Sequence, residues 1–127
     1  MESLLGTVIS TPETPNTGEF DFVIKSTDVH KGEFVQIKTS FGPVLGTVSE
    51  IMRANRYFER AESVAEYSKS DSMSHFPTDE WEYMVAKVHV HGILNEKHLS
   101  RSSMPVKCGS PVLKAEETQL KTSSIRN

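Results

Sequence analysis

Glu33-Phe-Val-Gln-Ile-Lys-Thr-Ser-Phe-Gly-Pro-Val-Leu-Gly-Thr-Val-Ser-Glu-Ile-Met-Arg53 is the stretch on which the reading of the fold turns. Val35 and Ile37 alternate with Phe34, Gln36 and Lys38, the period of two expected of a strand with one buried face. Ser40-Phe41-Gly42-Pro43 supplies a turn, with Gly42 free to take a positive φ and Pro43 acceptable at the start of a strand. A second strand runs from Val44 to Arg53, and Gly46 inside it marks a bulge or bend, as at a barrel corner. One hairpin is barely stable alone, so further strands must cover its apolar face.

Those strands are found by working outward. Leu4 to Ser10 alternates as a first strand, and Thr11 to Gly18, with Pro12, Pro15, Asn16 and Gly18, reads as a turn-rich loop. Phe20, Phe22 and Ile24 form one face of a second strand. Beyond Arg53 the period changes: Tyr57, Phe58, Ala61, Val64 and Ala65 recur at helical spacing after Asn55, a cap residue, which predicts a short helix over residues 57–68. Lys69 to Asp79 is polar and aperiodic. Trp81 to Leu94 is the longest strand, with Met84, Ala86, Val88 and Val90 on one face and Tyr83, Val85, Lys87, His89 and His91 on the other. Residues 95–103 read as a polar connection, and Met104 to Ala115 as a last strand pair or an extended closing segment. Leu5-Gly-Thr-Val8 recurs as Leu45-Gly-Thr-Val48, placing a glycine between apolar positions on two strands, which suits two sharp bends in a closed sheet. The expectation is an all-β domain over residues 1–115: a small closed or partly open barrel of five to six strands with one helical insertion. Residues 116–127 read as a tail or the start of a linker, with no core role.

Composition narrows the function. The chain has 127 residues, enough for one domain, and 36% are hydrophobic. A net charge of −3 lacks the basic excess usual in a stand-alone nucleic-acid binder. Cys108 is the single cysteine, so no internal disulfide forms. The N-terminus lacks a secretory pattern and no apolar run is long enough to span a bilayer, which points to a cytoplasmic protein with no membrane partner.

The chemistry-bearing motifs are few. There is no phosphate-cradling Gly-x-x-x-x-Gly-Lys-Ser/Thr, no Gly-x-Ser-x-Gly and no His-Glu-x-x-His. His89 and His91 share a strand face, but His30, His75, His98 and Cys108 are too scattered to complete a zinc site, so the pair reads as two solvent-facing histidines. Glu66, Asp79, Glu80 and Glu82 read as a solvated rim, and Cys108 as a small apolar residue near a turn. Arg53, Arg56 and Arg60, with Tyr57 and Phe58, form a basic and aromatic cluster able to stack and neutralise single-stranded nucleic acid, or to pack as a subunit contact. Trp81 serves either the core or an interface. No catalytic, metal or cofactor-binding residue is assigned.

An ordered set of residues carries a family resemblance: Gly6-x-Val8, Phe20-x-Phe22, Gly32-Glu-Phe-Val35, Val44-Leu-Gly-x-Val48 with Ile51, Tyr57 to Val64 with Glu66-Tyr67, Glu80 to Val88 with Gly92, and Pro105 with Gly109-Ser-Pro-Val112 and Ala115. The set resembles the N-terminal barrel of archaeal HerA-type ATPases, a form shared with the N-terminal barrel of rotary ATP synthase subunits. The resemblance implies a collar on a hexameric DNA-translocating motor used in DNA repair, contacting neighbouring subunits and a NurA-like nuclease. ATP and Mg belong to the motor domain, which would follow Ala115 and is not in this sequence, so the chain itself is expected to be no enzyme. The alternative is a stand-alone oligonucleotide-binding barrel.

Overall fold

The computed structural model describes residues 3–27, 29–55, 82–96, 98–116 and 118–120, apart from the side chains of Asn55 and Glu82. The expected helix over residues 57–68 lies outside them. Seven strands are present among the described residues: β1 (Leu4–Ile9), β2 (Glu19–Ile24), β3 (Phe34–Thr39), β4 (Gly42–Asn55), β5 (Glu82–Asn95), β6 (His98–Ser100) and β7 (Pro111–Lys114). Six of them close a ring in the order β1-β2-β5-β4-β3-β7, and β7 returns to β1. Every neighbouring pair is antiparallel. The closed antiparallel barrel is the architecture expected from the alternation.

β6 is the addition. It pairs with the end of β5 through Ile93↔Ser100 and Asn95↔His98, outside the ring. A strand this short carries too few residues for a period to show, so residues 95–103 read as a plain connection.

Alternation puts one face of each strand inside. Leu5, Val8, Phe20, Phe22, Val35 and Ile37 are almost wholly buried there, and Val44, Val48, Ala86, Val88 and Val112 complete the barrel core. Val29 and Val106, from connections, join the same cluster. Each large apolar side chain removed from water contributes about 1.5–3 kcal/mol. Phe20 and Phe22, with ring centroids 6.4 Å apart, fill the β2 side of the interior. Met84, on the core line of β5, is 37% exposed, because it lies one residue past Val85, the last β5 residue that β2 covers.

The repeated Leu-Gly-Thr-Val marks two equivalent places. At Gly6 the β1–β7 ladder slips by a residue, with Leu5 as the extra one. At Gly46 the β4–β5 ladder slips likewise, with His91 as the extra residue of the partner strand. An added Cβ on Gly6 would lie 2.0 Å from the Val23 carbonyl oxygen, and one on Gly46 would lie 2.5 Å from Val88 Cγ1. Both glycines let a bent strand approach its neighbour more closely than any side chain permits.

Two sequence expectations change. The β3–β4 turn is Ser40-Phe41 alone, because Gly42 already pairs with Thr39 as a strand residue. Gly42 does take a positive φ, +124°, and a Cβ there would meet the Leu94 carbonyl oxygen at 2.5 Å. Gln36 lies on the outer side of β3 yet is fully buried. Its cover is the segment read as a tail. Ala115 donates its amide to Phe34 O at 3.0 Å, and a helical turn at residues 118–120 brings Gln119 over the strand. Gln119 Nε2 donates to Gln36 Oε1 at 3.0 Å, and Gln36 Nε2 donates to Lys114 O at 3.1 Å. Gln119→Ala should cost about 1 kcal/mol and speed amide exchange at Ala115 without touching β1; exchange rising equally in β1 would show the turn is not a separate latch.

The Thr11 to Gly18 loop is held by its own side chains. Asn16 Oδ1 accepts the amides of Gly18 and Glu19, both at 2.8 Å. Thr14 Oγ1 donates to Asp21 Oδ2 at 2.8 Å, while the buried Asp21 Oδ1 has no partner. Thr14→Val would leave that carboxylate with neither oxygen satisfied by the loop, a loss of about 2 kcal/mol measurable as a lowered urea midpoint. Among the described residues no helix is long and apolar enough to cross a membrane.

Candidate functional site

β4 and β5 are both 14 residues long and pair from Val44↔Ile93 to Asn55↔Glu82, beyond the reach of β2, whose last row is Val23↔Val85. Arg53↔Met84, Ala54↔Tyr83 and Asn55↔Glu82 therefore form a two-stranded extension past the ring. Of the residues selected from sequence, Arg53 stands exposed on this extension and already has an interaction. Arg56, Tyr57, Phe58, Arg60 and Trp81 lie outside the described residues, as do Glu66, Asp79 and Glu80.

The two histidines stand on the outer face of β5. Their rings meet edge to face with centroids 5.4 Å apart. His91 is more enclosed than His89: its Nε2 is 2.6 Å from Thr47 Oγ1, and its ring lies 6.4 Å from that of Phe34. Among the described residues no group of three His, Cys, Asp or Glu side chains converges on a metal-sized point. Burial holds the His91 imidazole below its ordinary 6.5, and the charge of a protonated His89 pushes the same way. The folded state therefore takes up that proton later than the unfolded chain. Its contribution to stability is complete above 6.5 and is lost as pH falls through the lowered value. The melting temperature should fall between pH 7.5 and pH 5, and His91→Gln should flatten that fall; an unchanged slope in the variant would remove His91 as the cause.

The other end of β4 carries a feature that sequence inspection missed. The β3–β4 turn and the segment before β7 enclose a groove of about 470 Å³. Ile37, Val44, Ile93 and Val106 give it an apolar floor. Phe41, 76% exposed, and Met104, 71% exposed, stand on its edge. Among the described residues, Lys38 and Lys107 are its charged lining residues, and both are exposed. The walls are fixed to the barrel. Thr39 Oγ1 donates to Gly42 O at 2.6 Å across the turn, and Ser110 Oγ donates to Lys107 O at 2.6 Å. Val8 and Gly109 tie the same segment to β1 through Val8 N→Ser110 O and Gly109 N→Val8 O. The signal in the sequence was Phe41 itself: an aromatic at a hairpin tip, where Gly, Asn, Asp and Ser normally sit. Cys108, beside this wall, is exposed in its turn and not packed as a small apolar residue.

The fold and its surfaces define a small closed antiparallel barrel domain with an overlong β4–β5 ribbon at one end and an apolar groove at the other. No protein-family model matches the chain, and no curated protein shows significant similarity to it.

Proposed function

We propose that the chain is a non-catalytic assembly and docking barrel, of the kind that HerA-type DNA-translocating ATPases carry ahead of the motor domain. In that setting it works in the cytoplasm, its partners are neighbouring copies of the same chain in a homo-hexamer and a NurA-like nuclease, and ATP with Mg is handled by the motor. One observation carries the reading. Gly6, Phe20, Phe22, Gly46 and Val112, all residues of the resemblance, belong to a single closed ring, and Arg53, chosen from sequence as an interface residue, lies exposed on the ribbon that overruns it. A ribbon of two strands past a closed sheet buries little of its own surface, so a subunit or partner laid against it gains what the barrel leaves uncovered.

The test places a photo-crosslinking residue at position 53 of the protein in its native cells. The expected product is a covalent adduct with a second copy of the same chain. Adducts with nucleic acid alone would overturn the reading in favour of an oligonucleotide-binding barrel. The companion measurement is titration with labelled single-stranded DNA at low salt: docking predicts no binding at micromolar protein, whereas binding that weakens steeply with salt belongs to the alternative.

A further inference from the structure

We propose that the groove between the β3–β4 turn and residues 104–107 is a receptor for a short extended peptide of a partner protein, one with an apolar side chain flanked by carboxylates. The inference deepens the docking reading and rests on it only in treating the chain as a binding module.

Three features select this occupant. The first is the apolar floor. Ile37 and Val44 are core residues whose outer edges also line the groove, so a side chain entering it meets the end of the barrel core. A space of about 470 Å³ lies within the usual range for ligand sites, and an open groove of that size takes one or two large side chains. The second is the edge. Phe41 and Met104 are the two most exposed large hydrophobic residues among those described, and they stand at the same groove. Scattered exposed hydrophobics need no explanation, but two beside a continuous apolar floor make a patch. The turn is closed without the Phe41 ring: Thr39 Oγ1 accepts the Phe41 amide at 3.2 Å. Met is suited to such a place because its flexible thioether adapts to different partners.

The third feature is charge. The chain as a whole is at −3 and so repels acidic partners. Among the described residues the groove is lined by two lysines and by no carboxylate. Lys38 has an interaction of its own, so Lys107 carries the argument. An ammonium at the lip of an apolar groove favours a carboxylate one or two residues from the buried side chain, and disfavours a basic peptide. The hydroxyl residues Thr39, Ser40 and Ser110 on the groove suit the polar backbone of a peptide better than an acyl chain.

The experiment is fluorescence anisotropy of the whole 127-residue chain with a labelled acetyl-Asp-Glu-Leu-Phe-Asp-Asp peptide and its counterpart with lysine for every acid. The acidic peptide is expected to bind in the micromolar range and the basic one not to bind. Phe41→Ser and Lys107→Glu, both at exposed positions, should each weaken binding about tenfold, whereas Lys25→Glu, exposed and outside the groove lining, should leave it unchanged. No binding of the acidic peptide, or binding that neither groove variant alters, overturns the proposal. Co-sedimentation with phosphatidylglycerol vesicles in place of peptide binding overturns it toward a lipid surface. Light scattering that shows a dimer abolished by Phe41→Ser overturns it toward self-association. Failure here with position 53 still crosslinking to a second copy leaves the assembly reading intact; peptide binding without that crosslink removes the assembly reading alone.

Discussion

Gly6→Ala should remove a large share of the stability of the fold. A methyl at that position would stand 2.0 Å from the Val23 carbonyl oxygen and 2.6 Å from Phe22 Cδ2. The first contact is with backbone that is paired in the β1–β2 ladder, through Thr7↔Val23 and Gly6↔Ile24. Relief therefore requires the two strands to separate where β1 also bends against β7. Overpacking that cannot be absorbed by a side chain costs about 3 kcal/mol or more. That is a large share of a stability of roughly 5–15 kcal/mol. Urea unfolding followed by circular dichroism measures it, with a lowered midpoint and an unchanged slope if the folded state persists. Gly18→Ala is the control. Its added methyl would meet only Asn16 Oδ1, at 3.7 Å, and the change should stay within about 0.5 kcal/mol. Equal effects at the two positions would show that close approach of β1 and β2 is not what Gly6 serves.

Gly46→Ala is the second large effect, and it differs in kind. The nearest atom is a side chain: the new methyl would lie 2.5 Å from Val88 Cγ1, with the His89 carbonyl oxygen next at 2.8 Å. The single substitution should cost about 2–3 kcal/mol. Val88→Ala alone should cost about 2 kcal/mol by leaving a cavity in the core. Combined, the two should cost at least about 1 kcal/mol less than their sum, because the added methyl occupies space that Val88 vacates. Rescue stays partial, since the His89 carbonyl remains. Additive costs would mean that the backbone contact dominates. No such relief exists for Gly6→Ala: trimming Phe22 leaves the Val23 carbonyl in place, so a Phe22→Leu, Gly6→Ala double variant should be no more stable than Gly6→Ala alone.

These two glycines show how much of the barrel was legible in residue order. The Leu-Gly-Thr-Val repeat announced two bends in a closed sheet, and both occur at slips in register. Period-2 patterns located β1 to β5, because each barrel strand has one face inside and one outside. Gln36 shows the limit. A glutamine at an outward position reads as solvent-facing, and only the return of Gln119 from 83 positions further along the chain buries it. β6 escaped notice because its three residues have no period. The groove escaped because its walls come from residues 37–44 and 104–110, each unremarkable alone and brought together by the pairing of β7 with β3 and β1.

Local order thus specified the strands, their inward faces and the two glycine bends, since alternation and steric freedom are properties of neighbouring residues. Which strands neighbour each other, where β4 and β5 outrun the ring, what covers Gln36 and which side chains share a groove were settled by ring closure. Closing the sheet removes the exposed edges of its strands and brings distant segments into contact, and no local pattern records a contact of that range.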